Sequence, residues 1–264
     1  MPTPESGLRP TIDRAWLDAA AAREPLLHAY AVWDLERMPA SIRFVSAIAD
    51  GRTVGYLLLF LGGQGRSIVH WYGDVARCAA LAGALPPAPC VAVVPAEAEP
   101  LVADRYPNLR RSVLRLLLRP RDAPLPAGAA PRARRLGAGD RASLEALCAR
   151  HDAPELAGYP SLDLAEEPVF GVFDGGTLVG VARASVRLPR VWVVNGVFVE
   201  PTARRRGCGE AVVAAVVGEA GRAGAPAGLY VREEAEAARR LYARLGFQEL
   251  ARRTWLEAAG PGAS

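Results

Sequence analysis

The chain has 264 residues, 51% of them apolar, and a formal net charge of +4. That composition favours packed globular structure over disorder, in one large domain or two ordinary ones, and the modest charge does not by itself point to nucleic acid. No apolar run approaches the roughly 20 residues needed to cross a bilayer. Every cationic side chain other than histidine is an arginine, which excludes Schiff-base, pyridoxal-phosphate and P-loop lysines.

The opening "MPTPESGLRP" lacks a charged-then-apolar leader, so a cytoplasmic location is expected. A helix is predicted from about Thr11 to Leu35. "SIRFVSAIADGRTVGYLLLFL" reads as two strands joined at Asp50-Gly51. "RSIVHWYGD" supplies a third strand, and Asp74 can cap a helix over Val75 to Leu85. "CVAVVP" is a buried strand ended by Pro95, "AEAEPLVADRY" a short helix, and "RSVLRLLLR" a further strand. The segment Arg119 to Arg135, rich in Pro, Gly and Ala, reads as a linker. The expected domains are therefore residues 1–126 and 127–264.

The second half starts with a short strand, a turn and a helix capped by Asp140, with Leu144 and Leu147 on one face. "VFGVFDGGTLVGVARASVRL" is a hairpin about Asp174-Gly175-Gly176. "RVWVVNGVFVEP" is a strand stopped by Pro201, followed by an arginine–glycine turn and a helix from Gly207 to Ala223. "AGLYV" is a buried strand, "REEAEAARRLYARLGF" an amphipathic helix closed by Gly246, and "FQELARRTWLE" a final strand pair or hairpin. This order predicts an α/β fold, a mixed, mostly antiparallel sheet flanked by helices. The first half echoes the same order, so two similar halves are expected. Cys78, Cys90, Cys148 and Cys208 are far apart, as are the three histidines, so neither a metal site nor a disulfide framework is expected. No GxSxG elbow is present.

The chemistry concentrates in "RRRGCG", Arg204 to Gly209. Glycines let a ligand approach the backbone, the helix start offers unpaired N–H groups, and arginine forks grip oxyanions. Together these make an anion site of pyrophosphate character. An Arg-x-x-Gly-x-Gly turn between strand and helix, with Leu241-Tyr242 and Gly246-Phe247 downstream, resembles the GNAT superfamily of acyl-CoA-dependent N-acyltransferases. The resemblance covers about Ala133 to Trp255.

The resemblance implies an acetyltransferase using acetyl-CoA as co-substrate and a small-molecule or peptide amine as acceptor. It implies that the backbone of Val197, Phe198 and Val199 runs beside pantetheine. Arg204, Arg205, Arg206, Gly207, Cys208, Gly209 and Glu210 would hold the pyrophosphate, and Tyr242 would protonate the departing thiolate. A phenol of pKa near 10 holds its proton at neutral pH. A monomer or homodimer is expected, with no membrane and no nucleic-acid partner.

The sequence departs from the family pattern at two places. Val193 or Asn195 stands where members often carry a basic Glu, and Ala235 where the tyrosine helix often begins with Asn. The nearest strand carboxylate, Glu200, is expected to follow the strand end into solvent. An acyl-CoA-binding module without catalysis stays open beside the enzyme reading. The acceptor segment "RHDAPELAGYPSLDLAEEP" carries Asp152, Glu155, Asp163, Glu166 and Glu167. These point either to an acidic approach for a cationic amine or to an ordinary solvated face. His151 and Tyr159 either line this site or lie at the surface. The first half has no such turn; its "GGQGRS" reads as a hairpin loop. A GNAT-like first half would therefore lack a cofactor site.

Overall fold

The computed structural model describes residues 7–61, 67–106, 108–126 and 132–260. The expected loop at 62–66 and the middle of the expected linker, 127–131, lie outside them. In chain order the elements are β1 (Gly7–Arg9), α1 (Arg14–Arg23), α2 (Ala29–Arg37), β2 (Ile42–Ala49), β3 (Arg52–Leu61), β4 (Ser67–Gly73), α3 (Val75–Cys78), β5 (Cys90–Val94), α4 (Glu99–Arg105) and β6 (Leu109–Arg119). There follow β7 (Ala133–Arg135), α5 (Arg141–Arg150), β8 (Val169–Asp174), β9 (Thr177–Leu188), β10 (Val191–Val199), α6 (Cys208–Arg222), β11 (Ala227–Arg232), α7 (Glu236–Arg244) and β12 (Gln248–Ala258).

Two compact units result. The first takes in the chain up to Arg115, with Arg232–Glu234 and the residues from Ala251 on; the second takes in Leu116–Val231 and Ala235–Leu250. The units therefore divide near residue 115 rather than at the Pro/Gly-rich segment, and neither is one continuous stretch.

In the first unit the strand order is β1-β2-β3-β4-β5-β12. Asp50 and Gly51 both have positive φ, which gives the two-residue turn whose twist matches a hairpin. Among the described residues of this unit only β4 and β5 pair in parallel, over four residues from Ser67↔Cys90 to His70↔Val93. The core gathers Trp71, Leu57, Leu81 and Val102 with Leu256 and Ala258 of β12. Asp13 accepts the Trp16 N–H and starts α1. The single helix expected over residues 11–35 is two helices, because Pro25 cannot donate and disfavours helical geometry just before it. The helix expected over 75–85 keeps one α-turn and continues as a 3-10 turn through Ala79–Ala84. Cys78 and Leu81, three residues apart, both face the core, which is the 3-10 period.

The second unit repeats the layout, with strand order β6-β11-β10-β9-β8-β7. Again one pair is parallel, β10 with β11, and the others given by register are antiparallel. Helix α6 packs its valines and alanines on one face of the sheet, with Tyr242, Leu245 and Phe247. The other face is covered by α5 through Leu144 and Leu147, with Tyr159 and Phe198. Asp140 stands before α5 but makes no cap bond to it. Its carboxylate instead accepts the Gly137 N–H and pairs with Arg134. The final segment is one 11-residue strand, β12, and not a hairpin.

Candidate active site

The centre of the site is β10. Trp192 and Val194 pack toward α6, yet further along Val197 and Val199 do so. An even set cannot become an odd set on one face without an inserted residue. The insertion is a bulge between Asn195 and Phe198, where the register with β9 shifts and Gly196 adopts φ +60°. The Gly196 carbonyl accepts the Tyr159 hydroxyl at 2.6 Å. The Gly196 N–H donates to Asn195 Oδ1, also at 2.6 Å. A Cβ at 196 would lie 2.8 Å from the Tyr159 ring, so glycine is required twice over. Tyr159 is fully buried, so its place is beneath the strand and not at the surface.

Past the bulge, the Glu200 N–H donates to Val179 O. On an antiparallel ladder the adjoining residue turns both backbone groups the other way. Val199, and Val197 two residues back, therefore direct N–H and C=O toward the side of β11. There the ladder has already ended. Among the described residues β10 and β11 pair only at Trp192↔Ala227 and Val193↔Gly228, although they are nine and six residues long. The two strands part after Val193 and leave open backbone, and this is where the resemblance puts pantetheine.

The arginine turn follows at once. Pro201–Ala203 form a 3-10 turn, Arg205 has φ 60°, and Gly207 caps α6 at φ 79°. Ala211 is the first residue of α6 to donate to a carbonyl of the turn, that of Gly207. The N–H groups of Cys208, Gly209 and Glu210 thus remain available. Arg204 Nε donates to the Val199 carbonyl at 3.0 Å. Arg206 pairs with Asp174 at 2.7 Å, while its own carbonyl accepts from Arg132. Arg205 has no partner among the described residues. The Cys208 side chain is buried in the α6 core, so its N–H faces the turn and its thiol does not. Glu210 lies 3.4 Å from Arg244.

Tyr242 is 7% exposed and meets Phe247 edge-on at 5.7 Å. Burial, and then the charge of Glu155, push its phenol up to about 12. Glu155 is thus the acidic residue of the acceptor segment whose field reaches Tyr242. Of the segment's other acids, Asp152 and Glu166 are exposed. Glu167 is bound to Arg187 at 2.5 Å, and Asp163 accepts the Ala165 N–H. Glu200 is held at the strand end, 2.9 Å from His151 Nε2 and 3.2 Å from Arg150, and does not trail into solvent. Those bonds hold its carboxyl below the usual range. Val193 is buried, Asn195 is exposed and spends its oxygen on Gly196, and Ala235 caps α7 without a side-chain bond.

The residues suit a coenzyme A-like ligand: open strand backbone, a helix start with free N–H groups, and an unpartnered arginine lie in sequence along one turn. The first unit differs at the same places. There β4 and β5 stay paired over four residues, and the Asp74 carboxylate takes the Ala76 N–H at the start of a one-turn helix. Sequence reasoning missed Arg183, on β9 beside the bulge; no local signal in "GVARASVRL" marks it. Among the described residues no group of three His, Cys, Asp or Glu side chains could hold a metal, and no helix is long and apolar enough to cross a membrane.

Residues 140–247 match the family model of the GNAT acetyltransferases. No curated protein matches the sequence. Among solved structures, a Drosophila protein superimposes with TM-score 0.69 at 17% identity, covering 97% of this chain and 99% of its own. A GNAT-family acetyltransferase from Colwellia psychrerythraea gives 0.60 at 14%, covering 96% and 99%. A tandem GNAT protein from the clavulanic acid biosynthesis pathway gives 0.59 at 17%, covering 98% and 100%. These neighbours share the fold over both units, including the repetition of the layout. With strand, turn and tyrosine helix in place, residues 140–247 form a domain of the GNAT acetyltransferase family.

Proposed function

We propose that the second unit moves an acetyl group from acetyl-CoA to an amine by direct attack within a ternary complex. The observation that carries this reading is the parting of β10 from β11 after Val193, with the helix start immediately beyond it. Acetyl-CoA supplies the activated thioester; the other roles fall to this chain. Val197 and Val199 present backbone to the pantetheine arm, whereas Phe198, paired with Val181, turns its backbone groups to β9 and packs its ring in the core on the α5 side. The N–H groups from Gly207 to Glu210, with Arg204, Arg205 and Arg206, hold the pyrophosphate. The Val199 N–H donates to the thioester carbonyl oxygen as charge builds on it. Tyr242 gives its proton to the departing sulfur, and the proton that the attacking nitrogen sheds as the amide forms returns through water to the phenolate. Neither Val193 nor Asn195 can take a proton from the amine, so the amine reacts in its neutral form.

Tyr242→Phe should lower kcat by about 100-fold, the lower range for losing a general acid, while leaving acetyl-CoA affinity nearly unchanged. The Tyr242 phenol is raised to about 12, so it stays protonated as pH rises through the neutral and mildly alkaline range. The wild-type rate should climb as the amine loses its proton and then level off. A falling limb that starts between pH 9 and 10 and vanishes in Tyr242→Phe would contradict this. CoA release by amines across a broad panel tests the whole reading. Acetyl-CoA binding without release by any amine would leave a binding module instead.

A further inference from the structure

Arg183 lies directly opposite Asn195 of β10 and Val169 of β8. Asn195 is two residues beyond the last pair that joins β10 to β11, so Arg183 sits one strand away from the opening. Its guanidinium carbon is 5.7 Å from the centre of the Tyr159 ring. Its Nη2 lies 2.9 Å from where a Cβ on Gly158 would be, so the glycine leaves room for the fork. Its Nε is shut off from water and has no hydrogen-bond partner. Among the described residues no carboxylate or carbonyl meets this guanidinium at all.

That is unusual beside a loop with five acids. Glu167 is engaged by Arg187 and Asp163 by the backbone. A guanidinium has five fixed donors and cannot shed its charge. Arg183 as a whole is half-buried: its Nε is sealed, while its Nη groups stay open to a ligand. A sealed N–H without a partner is costly, and the Tyr159 ring offsets only part of that cost. The missing partner is an anion that the protein does not itself supply.

We infer that Arg183 receives the carboxylate of the acceptor, so that the substrate class is an amine that also carries a carboxylate: amino acids and related amino carboxylates. This rests on the acetyl-transfer reading for the amine end only. One fork matches one negative charge bidentately. The cross-strand neighbours Asn195 and Val169 bring no second cation, as a phosphate dianion would need.

The test uses the full chain with CoA present. Equilibrium binding is compared for amino acids, their carboxamides and the corresponding decarboxylated amines. At least one amino acid should bind about tenfold or more tightly than its carboxamide, the discrimination a desolvated bidentate pair gives. Arg183→Gln should erase that preference, and Arg183→Lys should restore part of it. Ligand-free Arg183→Gln should melt near or above the wild-type temperature, because the change removes a sealed N–H that has no partner. No preference for the carboxylate, a preference that survives Arg183→Gln, or a sharply lower melting temperature for that variant overturns the inference. CoA release in the same set reports the acetyl-transfer reading separately. Tight carboxylate binding without release upholds Arg183 and removes the enzyme reading; release with carboxamides but not amino acids removes Arg183.

Discussion

Gly207 and Gly209 look like one motif and have different physical reasons. Gly207 holds φ 79°, and a Cβ there would meet nothing closer than Arg132 Nη1 at 3.7 Å. Its requirement is the left-handed backbone. Gly209 is helical, and a Cβ there would sit 2.9 Å from Leu241 Cδ1. Its requirement is close packing of α6 on the residue preceding Tyr242. Gly207→Ala should cost about 1–2 kcal/mol, the cost of forcing an L-residue left-handed. Gly209→Ala gains up to about 1 kcal/mol of helix propensity, which offsets the shift of a flexible leucine tip, so its stability should stay near wild type. Denaturant unfolding of the two variants checks the contrast; equal stabilities would remove the left-handed argument. Such local needs are what made this turn legible in the sequence. Arg183 was not legible, because its meaning comes from Tyr159 and Gly158 across the sheet and from the absence of a partner.

At the scale of elements, the helix that carries Tyr242 depends on a residue that looked like linker. Arg119 opens the Pro/Gly-rich segment in sequence, yet it is the last residue of β6 and 2% exposed. Its Nε donates to the Leu245 carbonyl at 2.7 Å, just past the end of α7, and its other nitrogens reach the Pro120 and Ala123 carbonyls. A cation at a helix C-terminus satisfies orphan carbonyls and suits the dipole. Arg119→Ala leaves the Leu245 carbonyl without this donor and opens a void, so a loss of about 3 kcal/mol is expected. Chemical denaturation measures it, and a loss below about 1 kcal/mol would mean that water replaces the fork without penalty. Composition hid this residue because proline and alanine dominate its neighbourhood. The same limit merged α1 with α2 despite Pro25. It also divided β12, whose early residues are exposed and alternate with the core only from Thr254 on.

At the scale of the molecule, the repeated layout was legible as an order of elements, but the membership of the units was not. The last strand of each half goes elsewhere than its neighbours in sequence suggest. Thr254–Ala258 of β12 pair with Cys90–Val94 of β5 in the first unit, while Leu116–Arg119 of β6 belong to the second. No periodicity reveals a pairing across so long a separation, since pattern fixes which face is apolar and not which strand lies alongside. A consequence follows for dissection of the chain. A fragment of residues 1–126 keeps β5, buried along its whole length, but loses its β12 neighbour and the core contribution of Leu256 and Ala258. An unpaired apolar edge of this kind recruits other chains. The fragment should therefore aggregate or melt without a cooperative transition. Joining residues 248–260 to it through a flexible linker should restore both solubility and a single sharp transition. Circular dichroism melts and light scattering on the two fragments decide the matter: a cooperative, monomeric 1–126 would mean that β12 is dispensable to the first unit, and a joined fragment that stays aggregated would mean that the strand alone does not complete it.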